Sequence, residues 1–170
     1  MAAGHTNKGT IVAGPFHDFL LLSLAEHPFT SYVKFINDPR AVRLHDDLIG
    51  YLLDSLIWLP SYNPAKQEPT TGLCRWGPTI IHTDGAITAC RIFTAWADLF
   101  NAGPPVLHLT GDWTYVEGEP SNEGAYERLE FDREETVDRF RLLARYADKV
   151  AGSGKVAGSG DDLYILHLGV

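Results

Sequence analysis

The 170-residue chain has few cysteines, few basic residues and no long hydrophobic run. Its two cysteines, Cys74 and Cys90, follow no CxxC or Cys–His pattern, so we expect reduced thiols and no disulfide framework. The longest apolar runs, such as residues 19–22 and 56–59, are far shorter than the roughly 18 residues that a membrane helix needs. These absences argue against a disulfide-rich scaffold and against a protein that crosses a membrane.

Basic charge is also scarce, because 14 Lys and Arg residues face 22 Asp and Glu residues, for a formal net charge of −8. A surface of this sign repels nucleic-acid phosphates at long range, so we expect no nucleic-acid partner. Residues 1–15 contain one lysine and no continuous apolar segment, so no signal peptide is predicted. The expected location is therefore the cytoplasm.

Length and composition favour one globular domain over residues 1–170, because a 45% hydrophobic chain of this size can bury a core. We expect a loose start over residues 1–12 and a flexible Gly/Ser loop over 152–161. That loop contains part of a tandem repeat, since KVAGSG occurs at 149–154 and again at 155–160. Val156 stands where a phosphate-binding loop has Ser or Thr, so we interpret the repeat as a flexible connection.

Apolar spacing and breaker residues predict the secondary structure. The order of elements has no regular βαβ period. It predicts an α+β fold, a mixed or antiparallel sheet of about five to six strands packed with three to four helices. The C-terminal strand is apolar throughout and is expected in the middle of the sheet. Helices are predicted over 15–27, 38–59, 84–101 and 132–150, and strands over 30–36, 73–83, 106–110, 113–117, 126–131 and 163–170.

The four tryptophans divide by their surroundings in the sequence. Trp58 and Trp96 lie on the apolar faces of predicted helices and are expected in the core. Trp76 and Trp113 flank predicted turns, next to Gly77 and Asp112, and are better candidates for exposed contact residues.

Acidic residues concentrate in residues 111–148, which carry eleven of them, five arginines and no lysine. Aromatic residues lie in the same segment, beside a predicted loop. Aromatic anchors surrounded by carboxylates are typical of a surface that captures and steers a basic partner. The partner contacts predicted from this pattern are Trp113, Tyr115, Glu117, Glu119, Glu123 and Tyr126.

A small acidic α+β domain with an aromatic, acidic loop and no catalytic motif is similar in size and charge to bacterial immunity and antitoxin proteins. That resemblance implies an inhibitor that masks a basic protein, such as a nuclease or toxin, and that is not itself an enzyme. It implies no cofactor.

Histidines on predicted strands offer a second hypothesis, a small metal-dependent hydrolase. His82, His108 and His167 could bind Zn²⁺ near Asp84 and leave a position open for water, provided that their strands are neighbours. No pair shows HExxH or HxH spacing. A third hypothesis is a homo-oligomer that binds a small ligand, with the subunit contact formed by the C-terminal strand or by exposed tryptophans.

Overall fold

The computed structural model describes residues 15–115, 124–153 and 162–169. These residues form an α+β fold with a six-stranded sheet of order β2-β1-β8-β5-β3-β4 and a separate two-stranded sheet of β6 and β7. Every strand pair in these ranges is antiparallel. In chain order the elements are β1 (Phe16–Ser23), a 3-10 helix (Tyr32–Phe35), β2 (Val42–His45), α1 (Asp46–Leu56), β3 (Pro60–Asn63), β4 (Glu68–Thr71), β5 (Pro78–Ile81), α2 (Thr83–Asn101), β6 (Val106–Tyr115), β7 (Gly124–Asp132), α3 (Arg133–Ser153) and β8 (Leu163–Leu168).

The last strand, β8, lies inside the sheet between β1 and β5, as its apolar sequence predicts. Phe19 of β1 and Thr79 of β5 both lie opposite His167 of β8. Because β8 is covered on both faces, five of its six residues are buried. The chain therefore brings its last strand against its first, which places residues from both ends of the described sequence side by side.

Helices α1, α2 and α3 contribute to the main core on one face of the sheet. Phe93 of α2 lies 6.3 Å, between ring centroids, from Phe19 of β1 and 6.3 Å from Phe140 of α3. The opposite face has a smaller core, in which Leu20, Tyr164 and other strand residues pack with Phe35 of the 3-10 helix. The sheet is thus buried on both faces, which explains its long apolar runs.

Two predictions near the start of the chain are wrong, the first because of this burial on both faces. Residues 15–27, predicted as a helix, contain strand β1, since a strand buried on both faces reads as a continuous apolar run. Residues 30–36, predicted as a strand, contain the short 3-10 helix.

The predicted helix over 38–59 divides into β2 and α1 at His45 and Asp46. His45 caps α1, because its Nδ1 accepts a hydrogen bond from the backbone N–H of Asp47 at 3.3 Å. Gly111 and Asp112, predicted as a turn, lie within the single strand β6, where the register shifts between Thr110 and Trp113. A bulge of this kind bends a strand without ending it.

The termini and the repeat are only partly covered by the structure. Residues 1–12 and most of the predicted 152–161 loop lie outside the described residues, while Gly152 and Ser153 are the last two residues of α3. Trp96 packs half-buried against the core, but Trp58 is 68% exposed, contrary to its prediction. Across the described ranges, no helix is long and apolar enough to cross a membrane.

Candidate functional site

Strands β6 and β7 form an antiparallel ribbon that is not hydrogen-bonded to the six-stranded sheet. One half of the ribbon is attached to the core. Leu107 pairs with Phe131 and Leu109 with Leu129, and these apolar side chains are buried or half-buried on the inner face. This contact holds the ribbon in place and leaves its other half free of the core.

The free half of the ribbon, beyond the bulge, presents three aromatic side chains. Trp113 lies opposite Tyr126, with ring centroids 5.0 Å apart in an edge-to-face arrangement. Tyr115 is two residues further along β6 and therefore on the same face. Trp113, Tyr115 and Tyr126 are 50%, 72% and 60% exposed. We call these three residues the aromatic face.

Gly124, opposite Tyr115, makes room for the indole of Trp113. A Cβ at this position would lie 2.7 Å from two atoms of the indole ring and 2.7 Å from the carbonyl oxygen of Thr114. The indole therefore lies directly against the backbone of β7, which limits its freedom. An aromatic side chain held in this way loses little further conformational entropy when it binds a partner.

Charge on the described part of the ribbon is mainly negative. Glu127, Arg128 and Glu130 of β7 are exposed; Arg128 and Glu130 share the face of Tyr126, whereas Glu127 lies on the opposite face. His108 lies 3.5 Å from Glu130, but both side chains are 67% exposed, so the pair adds little. The other predicted contacts, Glu117, Glu119 and Glu123, lie outside the described residues.

A cleft of about 230 Å³ lies between the inner face of the ribbon and α1. Asp47 and Tyr51 line it from α1, Asp112 and Glu127 line it from the ribbon, and Arg75 lines it from the loop between β4 and β5. The cleft was not predicted from the sequence, because its walls come from three segments that no local pattern connects.

Arg75 begins a hydrogen-bonded chain of four polar side chains that leads from the cleft into the core. Arg75 contacts Asp46 through two bonds, from Nε to Oδ1 at 3.0 Å and from its terminal nitrogen to Oδ2 at 2.7 Å. Asp46 Oδ1 is 2.8 Å from Nε2 of His17, and Nδ1 of His17 is 2.8 Å from Nε2 of His167. We call these four residues the histidine network.

The loop that carries Arg75 is fixed by close backbone contacts. Cys74 donates its N–H to Thr79 Oγ1 at 2.8 Å, and Gly169 donates its N–H to the carbonyl oxygen of Gly77 at 2.9 Å. A Cβ on Gly169 would lie 2.3 Å from the carbonyl oxygens of both Cys74 and Arg75. Glycine at 169 thus allows the loop to approach the end of β8 and place Arg75 over Asp46.

The ionisation of the network follows from these contacts. Hydrogen bonds from Arg75 lower the pKa of Asp46 to about 2, and the bond from His17 adds to this effect. Burial lowers the pKa of His17 despite the attraction of Asp46. Burial, together with the neighbouring His17, lowers the pKa of His167 well below its usual value. At neutral pH the network therefore holds one ion pair and two neutral imidazoles.

The network is closed to a substrate. His17 and His167 are 0% exposed, and only the guanidinium of Arg75 reaches the cleft, with 36% of its side chain exposed. A general acid or base has to come within hydrogen-bonding distance of the reacting group. The arrangement is suited to holding the strands and α1 together and to binding protons.

The structure does not bring the predicted zinc ligands together. His82 precedes α2 with its ring 5.8 Å from that of Phe29, and Asp84 lies in the first turn of α2. His108 is on the ribbon, whereas His167 is in the core beside His17. In the part of the chain that the structure describes, no group of three or more His, Cys, Asp or Glu residues could hold a metal ion.

The members of the network other than His167 were not predicted from the sequence. Interpreting residues 16–23 as a strand would have placed His17 on the same face as Phe19, where a polar residue in an apolar row indicates a buried polar contact.

Comparisons with family models, with curated proteins and with solved structures find no match for this chain.

Proposed function

We propose that this chain is a binding protein, of the immunity or antitoxin type, that masks a basic partner protein with the outer half of the β6–β7 ribbon. The observation that carries the proposal is the aromatic face, three large side chains exposed together on a ribbon whose other half is attached to the core. Such a cluster needs an explanation, because contiguous exposed apolar surface marks interaction sites more often than single exposed residues do.

The aromatic face has the properties of an interface anchor. Tryptophan and tyrosine are enriched among the few residues that provide most of the binding energy at interfaces, often 2 kcal/mol or more each. Their rings bury a large area at a small cost in conformational entropy. The packing of Trp113 on Gly124 and Tyr126 restrains it before any partner arrives.

The charge distribution favours a basic partner. The chain carries a formal −8, and the ribbon displays Asp112, Glu127, Glu130 and Asp132 against Arg128 alone. A local field of one sign accelerates encounter with a partner of the opposite sign and discriminates against partners of the same sign. Aromatic anchors and an acidic field on one ribbon are the combination that masking a basic active site or basic surface requires.

The first experiment identifies the partner and locates the contact. The tagged chain is cross-linked in the cells that produce it, and the captured proteins are identified by mass spectrometry. We expect one basic protein, held by the wild type and lost by Trp113→Ala/Tyr126→Ala. Trp58→Ala is the matched control, since Trp58 is also an exposed tryptophan but follows the C-terminal end of α1. Equal capture by all three chains, or an acidic partner, would contradict the proposal.

The second experiment tests the charge with the identified partner. Glu127→Lys/Glu130→Lys should slow association about tenfold at low salt and flatten its salt dependence. Asp138→Lys/Asp148→Lys changes the net charge equally but on the exposed side of α3, so its effect should be much smaller. Equal slowing by the two double variants would show that net charge alone, and not the ribbon, guides the encounter.

A further inference from the structure

The contacts of the histidine network determine where its hydrogens lie. Asp46 is ionised, because two hydrogen bonds from Arg75 hold its pKa at about 2. An ionised carboxylate can only accept, so the hydrogen between Asp46 and His17 belongs to Nε2 of His17. In a neutral His17 the other nitrogen, Nδ1, then carries no hydrogen and accepts the bond from Nε2–H of His167.

One nitrogen of the network remains without a partner. In the neutral His167, with its hydrogen on Nε2, Nδ1 carries a free lone pair. The residue is 0% exposed, and this atom has no hydrogen-bond partner among the residues that the structure describes. A buried polar atom left unpaired costs stability, and such atoms in proteins often have a functional reason. Here Nδ1 of His167 is the only nitrogen of the network that can accept a proton.

We propose that the His17–His167 pair is a buried proton-binding site, which takes up one proton at Nδ1 of His167 in acid and thereby releases Arg75 from Asp46. As Nδ1 gains this proton, the hydrogen on Nε2 of His167 passes to Nδ1 of His17. His167 stays neutral with its hydrogen on Nδ1, and the positive charge resides on His17, beside Asp46. One proton is taken up at Nδ1 of His167, the Nε2–H bond of His167 is broken, and an N–H bond on Nδ1 of His17 forms in its place.

Arg75 is the group that responds, because of the charges that face the pair. Asp46 and Arg75 face His17 from α1 and from the β4–β5 loop, and on β1 Asp18 is paired with Arg43 of β2 at 3.0 Å. Helices α2 and α3 contribute apolar contacts to this side of the sheet. These four charges cancel, so a charged His17 adds a positive charge beside Arg75, while Asp47 of α1 and Asp112 of the ribbon attract the guanidinium from the cleft. His17 is buried in a strand, whereas Arg75 can turn into water.

Release of Arg75 would alter the cleft beside the ribbon, since the guanidinium forms part of its wall. The inference does not depend on the proposed function, because it concerns atoms that the aromatic face does not include. It assigns to this chain a response to acidification that is transmitted from the core to one surface position.

Nitrogen-15 NMR of the histidine side chains tests the site on the folded, full-length protein. At pH 7.5 we expect Nδ1 of His167 and Nδ1 of His17 to be unprotonated and both Nε2 atoms to be protonated. As the pH falls well below 6.5, the ordinary pKa of histidine, both Nδ1 atoms should become protonated together, while the backbone spectrum stays that of the folded protein. A hydrogen on Nδ1 of His167 at pH 7.5, or unfolding before either ring changes, would overturn the proposal.

The release of Arg75 is measured by hydrogen exchange of its Nε–H, corrected for the exchange of free arginine at the same pH. The protection of the Arg75 Nε–H against exchange should fall at least tenfold. The midpoint of this fall should lie at the pH at which the two histidine Nδ1 atoms become protonated. Arg43 is an internal control, because its Nε makes a 3.0 Å bond to Asp18 that the proton does not disturb. Loss of protection at both arginines, or at neither, would show that the network does not release Arg75.

His167→Gln separates proton binding from structure. Its amide nitrogen can still donate to Nδ1 of His17, but the side chain has no nitrogen that takes up a proton. We expect the folded variant to lose the coupled transition of Arg75. His108→Gln, which removes an exposed histidine on the ribbon, should keep it. A transition that persists in His167→Gln would contradict the assignment, and if that variant fails to fold, the wild-type titrations above still decide.

Discussion

The six-stranded sheet and the β6–β7 ribbon use aromatic and charged residues in opposite ways. Phe19 of the sheet lies in an apolar core, and beside the sheet the charge of Asp46 is matched by Arg75 through two hydrogen bonds. On the ribbon, Trp113 and Tyr126 pack on each other in water, and the surrounding carboxylates face solvent. The comparison indicates that the first region stabilises the fold, whereas the second contributes exposed surface, which is the surface proposed to bind a partner.

Truncating one aromatic ring in the core packed against the sheet and one on the ribbon gives the largest expected contrast. Phe140→Ala should lower the free energy of unfolding by about 4 kcal/mol, because the ring is fully buried and leaves a cavity. Tyr126→Ala should lower it by less than about 1 kcal/mol, because the ring is 60% exposed. Urea unfolding measures both changes. Comparable losses would show that the ribbon is part of the cooperative core.

Removing the charge of Asp46 tests how much its contacts with Arg75 and His17 contribute to the free energy of unfolding. Asp46→Asn leaves the buried His17 and the partly exposed Arg75 without their anion, and we expect a loss of about 2–3 kcal/mol at pH 7. Asp47→Asn is the matched control, since Asp47 is the next residue and its side chain is 41% exposed. Its loss should stay under about 1 kcal/mol. Equal losses would mean that burial of the network adds nothing to stability.

The contribution of Asp46 should also depend on pH. Its pKa is lowered from 3.8 to about 2 in the folded protein, so the unfolded chain binds the proton more readily. The contribution is therefore complete above pH 3.8 and is lost as the pH falls toward 2. The difference in unfolding free energy between the wild type and Asp46→Asn should shrink over that range. A constant difference between pH 5 and pH 2.5 would contradict the lowered pKa.

Replacing a glycine in close backbone contact and a glycine in open space should give a smaller contrast in stability. Gly169→Ala places a Cβ against two carbonyl oxygens and should cost about 1–3 kcal/mol, with displacement of the loop that carries Arg75. Gly152→Ala, near the end of α3, meets nothing within 4 Å and should be neutral or stabilising by up to about 1 kcal/mol. Thermal unfolding of the two variants measures the contrast. A tolerated Gly169→Ala would show that the loop has another way to hold Arg75.

The prediction from sequence succeeded where a local pattern is sufficient. Helix α2 follows from apolar spacing, and the start of α3 follows from the cap at Asp132, whose carboxylate accepts a bond from Glu135 N–H at 2.8 Å. It failed at β1, because a strand buried on both faces has no alternation to distinguish it from a buried helix. It failed at β2 and α1 because the apolar residues of β2, Val42 and Leu44, extend the apolar pattern of α1 in the sequence, so that strand and helix read as one helix.

By itself, the sequence determined the α+β class, the helices α2 and α3, the central position of the C-terminal strand, and the concentration of acidic and aromatic residues in one segment. Each of these follows from the spacing of apolar or charged residues within one segment of the sequence. Only the tertiary structure decided which polar side chains meet. His17 and His167 are 150 positions apart, and Asp46 is 29 positions from both His17 and Arg75. Local spacing carries no information on such distances, because strand pairing and helix packing create those contacts.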